Sequence, residues 1–238
     1  MENSGKPPNN PPYSICRKKR ERVADERLTA GITGVILAGG NSSRMKSNKA
    51  LLPYCGERFI ERIYRQLSDI FEDILLVTNT PEVYRFLPCS TVSDIYPGLG
   101  SLAGIHAGLR NSKTPYIFVV ACDMPNLDMA LIRCLVGSIN GQDVIIPESD
   151  GGLEPLHAVY GKSALPVMEE ALAKGNRKIV ACCAKLNATI LHRDAVAMID
   201  PEFRSFANIN TPEDYFRFRE EKLIVRAETV QRPERILK

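Results

Sequence analysis

No run of uninterrupted apolar residues in this 238-residue sequence approaches the roughly 18 to 20 needed to span a bilayer. The N-terminus likewise lacks a short apolar stretch ahead of a cleavage site and begins with polar, proline-rich sequence. Both absences argue against membranes and predict a cytoplasmic protein. Excess charge is scarce: 31 Lys and Arg against 28 Asp and Glu leave a net charge of +3, too little by itself to imply a nucleic-acid partner. The seven cysteines are odd in number and form no C-x-x-C pair, so neither a disulfide framework nor a zinc site is expected. Reduced thiols without a shared role are the simpler reading.

A hydrophobic content of 44% with 25% charged residues is enough for one sizeable core, and one folded domain is expected. Residues 1–30 read as a flexible basic tail, with Arg17, Lys18, Lys19, Arg20 and Arg22 following a Pro/Asn-rich stretch. Residues 31–218 carry the domain, and 219–238 read as a charged C-terminal extension. Within the domain, short runs rich in Val, Ile and Leu alternate with segments of helical period, the pattern of an α/β fold.

Strands are predicted at 32–37, 74–78, 116–121 and 144–147, all apolar enough to be buried on both faces. Helices are predicted at 58–70, 101–109 and 127–139, the first placing Phe59, Ile63, Leu67 and Ile70 on one face. Crossovers of this length imply a mostly parallel central sheet with helices on both faces, in three layers. Ligands of such sheets bind outside the carboxyl ends of the strands.

The loop after the first strand, Leu37-Ala38-Gly39-Gly40-Asn41-Ser42-Ser43-Arg44-Met45-Lys46-Ser47-Asn48-Lys49, has the chemistry of a phosphate cradle. Gly39 and Gly40 let backbone N–H groups approach a ligand, while Arg44 and Lys49 bring positive charge for a triphosphate. It lacks the Gly-Lys-Ser/Thr ending of a P-loop and the third glycine of a dinucleotide fingerprint. Taken alone it is also compatible with an ordinary strand-to-helix turn.

Asp123 follows the apolar run ending at Ala121 and stands where a carboxylate could hold Mg2+ against substrate phosphates; helix capping or turn formation is the alternative. Asn79 and Asp94 end two other strand-like segments, placing three polar residues on one rim. Gly98-Leu99-Gly100-Ser101-Leu102-Ala103 matches G-x-G-x-x-A, yet the Pro-broken segment before it is a poor strand, so its glycines are read as loop-shaping.

Together these features resemble the molybdenum cofactor guanylyltransferases, within the nucleotidyltransferases of Rossmann-like fold. The resemblance runs from about Gly34 to Tyr215. It rests on the Leu-Ala-Gly-Gly loop with Arg44-Met45 and Lys49, on Asp94 ahead of Tyr96-Pro97-Gly98 and Leu102-Ala103-Gly104, on Cys122-Asp123-Met124-Pro125, and on Asn208-Ile209-Asn210-Thr211-Pro212-Glu213. It implies transfer of GMP from Mg-GTP to molybdenum-bearing molybdopterin, giving a guanine dinucleotide cofactor and pyrophosphate. Partners implied beyond GTP and molybdopterin are molybdopterin-handling proteins or the receiving apo-molybdoenzyme.

By the same resemblance, Leu37, Ala38, Gly39 and Gly40 belong to the nucleotide site, with Asn79 and Asp94 contacting the nucleoside. Lys49 contacts the triphosphate with Arg44 nearby, Asp123 is the magnesium ligand, and Asn208 and Asn210 face the acceptor. The segment 208–213 also reads as a strand end followed by an N-cap Thr and a Pro at the first helical position. An already ionised acceptor phosphate needs neither a protein nucleophile nor a general base, which leaves His106, His157 and His192 as structural or surface residues.

Two positions depart from the family pattern. Lys46 replaces a usual Gly, which implies either roughly 1 kcal/mol of strain if φ is positive or an added phosphate contact. Asn48 stands where Asp is frequent. A cytidylyltransferase on the same acceptor and a catalytically silent GTP-binding regulator are the alternatives; Gly39, where the cytidylyltransferases tend to have Ala, leans towards guanine.

Overall fold

A computed structural model describes residues 31–39, 48–54 and 56–220. The basic run at 17–22, Gly40, Arg44 and Lys46 of the first loop, and the extension beyond 220 lie outside the described residues.

β1 (Ile32–Leu37) is buried along its whole length because its side chains alternate between two apolar layers. Ile32 and Ile36 pack with Ile63, Leu67 and Phe118 on one face, whereas Val35 and Leu37 pack with Leu102, Ile105 and Val119 on the other. The first layer holds α1 (Phe59–Ser68), preceded by the short hairpin β2 (Pro53–Tyr54) and β3 (Glu57–Arg58). All four residues predicted for the apolar face of α1 are buried. The second layer holds α2 (Ser101–Asn111), which lies so close to β1 that a Cβ on Gly108 would stand 2.8 Å from Val35 Cγ1. A side chain there would force helix and strand apart.

β4 (Asp73–Val77), β5 (Ser90–Val92) and β6 (Tyr116–Ala121) join β1 in parallel, in the order β6-β1-β4-β5. The chain runs from β1 outward to β4 and β5, then returns over α2 to β6 on the other side of β1. This reversal is a topological switch point, where connections leave the sheet on opposite faces and a crevice opens at the strand ends.

Beyond β6 follow α3 (Met129–Gly137), capped by Asp128, then β7 (Val144–Ser149), β8 (Gly152–Leu153) and β9 (His157–Gly161). β9 pairs antiparallel with both β6 and β7. The link from β7 to β9 is too short for a crossover, so the chain turns back on itself. After α4 (Leu165–Ala173) and α5 (Ile179–Cys183), β10 (Ala188–Leu191) returns parallel to β7, and α6 (Arg193–Ala197) follows. The sheet is mixed but mostly parallel, with helices on both faces, as predicted. Among the described residues no helix is long and apolar enough to cross a membrane.

The three histidines occupy structural or surface positions. His192 is exposed beside Glu148, and His106 contacts Glu169 at 3.2 Å. His157 is fully buried, edge-on to Phe118 and Phe206 at 5.0 and 5.3 Å, and among the described residues neither ring nitrogen has a hydrogen-bond partner. Burial drives its pKa down to about 3 against the pull of Asp200. Between the usual value near 6.5 and about 3, the unfolded chain therefore binds a proton that the native chain does not. Stability contributed by neutral His157 is complete above that window and is lost as pH falls through it, at up to about 1.4 kcal/mol per pH unit. Melts from pH 7 to pH 4 are expected to show a shallower decline for His157→Phe than for the parent; equal slopes would contradict this.

Cys89, Cys122, Cys182 and Cys183 are free thiols, as the sequence suggests. Cys134 is disulfide-bonded, which corrects the expectation for that residue.

Candidate active site

Three strands end in polar residues on one rim, as predicted. β4 leads into Thr78 and Asn79, β5 into Ser93 and Asp94, and β6 into Cys122 and Asp123. Because these strands run parallel to β1, their carboxyl ends and Leu37-Ala38-Gly39 all open on the same crevice. Backbone bonds stitch the rim together: Ala38 N–H donates to Val77 O at 2.9 Å, Thr78 N–H to Val92 O at 2.9 Å, and Cys122 N–H to Leu37 O at 3.1 Å. Gly39 is exposed, and among the described residues nothing lies within 4 Å of where a Cβ would be, so a ligand can lie directly on its backbone.

Asn79 and Asp94 form a two-bond pair. Asn79 Nδ2 donates to Asp94 Oδ2 at 3.2 Å, and Asp94 N–H donates to Asn79 Oδ1 at 3.0 Å. Gly104 on α2 lies beside this carboxylate: a Cβ there would crowd Leu37 Cδ2 at 3.3 Å and reach ordinary contact with Asp94 Oδ1 at 3.8 Å. Burial raises the Asp94 pKa, opposed by the Asn79 amide.

Lys49 sits in a short 3-10 turn, Lys49–Leu51, capped by Asn48. Asn48 Oδ1 accepts from Ala50 N–H at 3.1 Å while Nδ2 donates to the buried Tyr84 hydroxyl at 2.9 Å. At this position, a departure from the family pattern, the amide thus uses both its oxygen and its nitrogen. From that turn the Lys49 ammonium donates to Asn210 Oδ1 at 2.6 Å and stands 3.6 Å from Asp123 Oδ2. The segment carrying Asn210 is docked against β6 by Ile209 N–H donating to Asp123 O at 3.0 Å. Lys49, Asp123 and Asn210 are thus brought together; Asn208 is exposed on the same segment.

Burial raises the Asp123 pKa, and the Lys49 ammonium acts in the opposite direction. Burial and the neighbouring Asp123 carboxylate push the Cys122 thiol up to about 12, which keeps it protonated and unsuited to nucleophilic attack. Among the described residues no group of three or more His, Cys, Asp or Glu could hold a metal ion. A single rim carboxylate suits a hard cation whose other ligands are phosphate oxygens and water.

The glycines of 98–103 have a shaping role. Gly98 and Gly100 adopt φ of 79° and 74°, and Gly100 precedes the first residue of α2. The segment before them is bent, not a strand, which removes the structural context of a dinucleotide fingerprint.

The family model for the MobA-like NTP transferase domain matches residues 34–189, a span that includes the first loop, Asn79, Asp94 and Asp123. The chain belongs to this family. Among MobA-like relatives, a molybdenum cofactor guanylyltransferase of Desulfosudis oleivorans is 38% identical over 185 residues, covering 77% of this chain and 92% of the relative. A probable molybdenum cofactor guanylyltransferase of Clostridium perfringens is 37% identical over 186 residues, covering 77% and 93%. The crystal structure of molybdopterin-guanine dinucleotide biosynthesis protein A from Archaeoglobus fulgidus superposes with a TM-score of 0.72 at 31% identity, covering 81% of this chain and 99% of that one. The MobA-like match ends before Asn210, so the contact of Lys49 with that residue is supplied by the fold.

Two contributors lie outside the residues singled out in the sequence. Tyr84 is apolar-core material by pattern and reveals its role only through Asn48. Asp214 lies one residue past the motif 208–213, although the spacing Thr211-x-x-Asp214 is a capping-box signal that would have found it.

Proposed function

We propose that this chain transfers GMP from GTP to the terminal phosphate of molybdenum-bearing molybdopterin, forming the guanine dinucleotide cofactor and pyrophosphate. The observation that carries the reading is the convergence of Lys49, Asp123 and Asn210 at the switch point of a MobA-like chain. The names borne by its relatives favour guanine over cytosine and turnover over silent binding.

In this reading the nucleoside lies along Leu37, Ala38 and Gly39, with Gly40 completing the loop and with Asn79 and Asp94 contacting base or ribose. The open face of Gly39 supports the placement of a purine against the backbone. Lys49, with Arg44, faces the triphosphate and stabilises charge that grows on the leaving pyrophosphate. Asn208 and Asn210 face the pterin, whose edge both donates and accepts, as two amides require. Asp123 would hold Mg2+, which when bound neutralises phosphate charge and favours in-line attack. The acceptor phosphate attacks the α-phosphorus as an anion, so no side chain has to remove a proton.

Incubation with GTP labelled at the α-phosphate, Mg2+ and molybdenum-loaded molybdopterin tests this directly. The label is expected in a product containing guanine and pterin; label left entirely in GTP, with intact acceptor and folded protein, would overturn the reading.

A further inference from the structure

The residues after Asn210 form a reciprocal cap. Thr211 Oγ1 accepts from Asp214 N–H at 3.1 Å, and Asp214 Oδ2 accepts from Thr211 N–H at 2.9 Å and from Asn210 N–H at 3.0 Å. This cap opens α7, helical over 212–220. One of the two N–H groups held by Asp214 therefore belongs to the residue whose side chain receives Lys49.

The same helix also grips the turn that carries Lys49. Tyr215 donates its hydroxyl to Pro53 O, just past the Lys49–Leu51 turn. Tyr215 and Phe218 pack edge-on against Phe59, with ring centroids at 5.9 and 5.7 Å, and Phe218 meets Tyr54 at 4.6 Å. Tyr54, Phe59, Ile209, Tyr215 and Phe218 form a small buried cluster of their own. The helix thus touches the segment after Lys49 through Pro53, and its cap reaches the Lys49 side chain through Asn210.

The geometry at Lys49 shows what this achieves. Its ammonium is 2.6 Å from Asn210 and forms a longer ion pair with Asp123, at 3.6 Å. An ammonium released from Asn210 would close on the carboxylate, tying up a positive charge meant for phosphate and a negative charge meant for a cation.

We propose that Asp214 is a positioning residue of this site: by fixing Asn210 it keeps the Lys49–Asp123 ion pair long, so that an incoming nucleotide and its cation can separate the two charges. The role of these charges in turnover rests on the guanylyltransferase reading, whereas their effect on nucleotide affinity does not.

The test is a double-mutant cycle on the full-length protein, reading the GTP dissociation constant by titration calorimetry. Asp214→Ala is expected to weaken GTP binding by roughly fivefold to tenfold in the parent background, and less than about twofold when Asn210→Ala is already present, because coupled residues are not additive. Thr211→Ala removes the other half of the cap; it is expected to lower the melting temperature about as much as Asp214→Ala while leaving GTP affinity within about twofold. Asp214→Ser, which keeps a hydroxyl at the cap, replaces the alanine variant if that variant does not fold. Equal weakening in both backgrounds, or weakening by Thr211→Ala equal to that by Asp214→Ala, would reduce Asp214 to a helix cap and overturn the proposal. Pyrophosphate release by the parent is measured in parallel. A parent that binds GTP without turnover removes the activity reading and leaves the binding cycle decisive, and a parent that binds no GTP overturns both.

Discussion

Asp123→Ala is expected to lower pyrophosphate release at least about 1,000-fold while the protein stays folded, since the variant loses the carboxylate proposed to hold the cation against the phosphates. Its effect on stability should have the opposite sign from that of most substitutions of half-buried residues. Burial raises the Asp123 pKa, which means that folding disfavours its ionised form at neutral pH despite the nearby ammonium. The bond that docks the 208–210 segment uses the backbone oxygen of residue 123 and survives the change. A melting temperature equal to or above that of the parent is therefore expected, as at other sites where function is maintained against stability. Turnover comparable to the parent would remove Asp123 from the metal role. A lower melting temperature would show the carboxylate to be structural.

Lys49→Ala is expected to lower kcat/KM for GTP by about 100-fold, the scale on which loss of one preorganised charge at a reacting phosphate is felt. Lys49→Arg should recover little of it. The ammonium fits between Asn210 Oδ1 and Asp123 Oδ2 as a compact point charge, and a broad planar guanidinium cannot occupy the same place. Steady-state kinetics with varied GTP check both variants. Arginine restoring the parent value would mean that charge alone, without this geometry, is what the site requires.

Much of the fold is legible in the sequence because its central strands are short apolar runs with sharp ends. β1 and β6 occupy the predicted residues, and β4 is displaced by one position. The faces of α1 follow from helical period alone. β9 is not legible in the same way: His157-Ala158-Val159-Tyr160-Gly161 is apolar enough for a strand, but its antiparallel direction comes from the short turn before it, a constraint of chain length. Rim residues such as Asn79, Asp94 and Asp123 can be placed from sequence because each ends a strand and parallel strands end together. The contact of Lys49 with Asn210 joins residues 161 positions apart, and no local pattern encodes it. Asp214 shows the converse, a local capping signal whose purpose is visible only once its neighbour Asn210 is seen holding Lys49.

The most direct test of the central claim is pyrophosphate release by the purified protein with Mg2+ and molybdenum-loaded molybdopterin, offered GTP, CTP, ATP or UTP in separate reactions. Release with GTP alone is the expected result and would establish the guanylyltransferase. Release with CTP in preference to GTP, or no release with any of the four nucleotides from folded protein and intact acceptor, would contradict it.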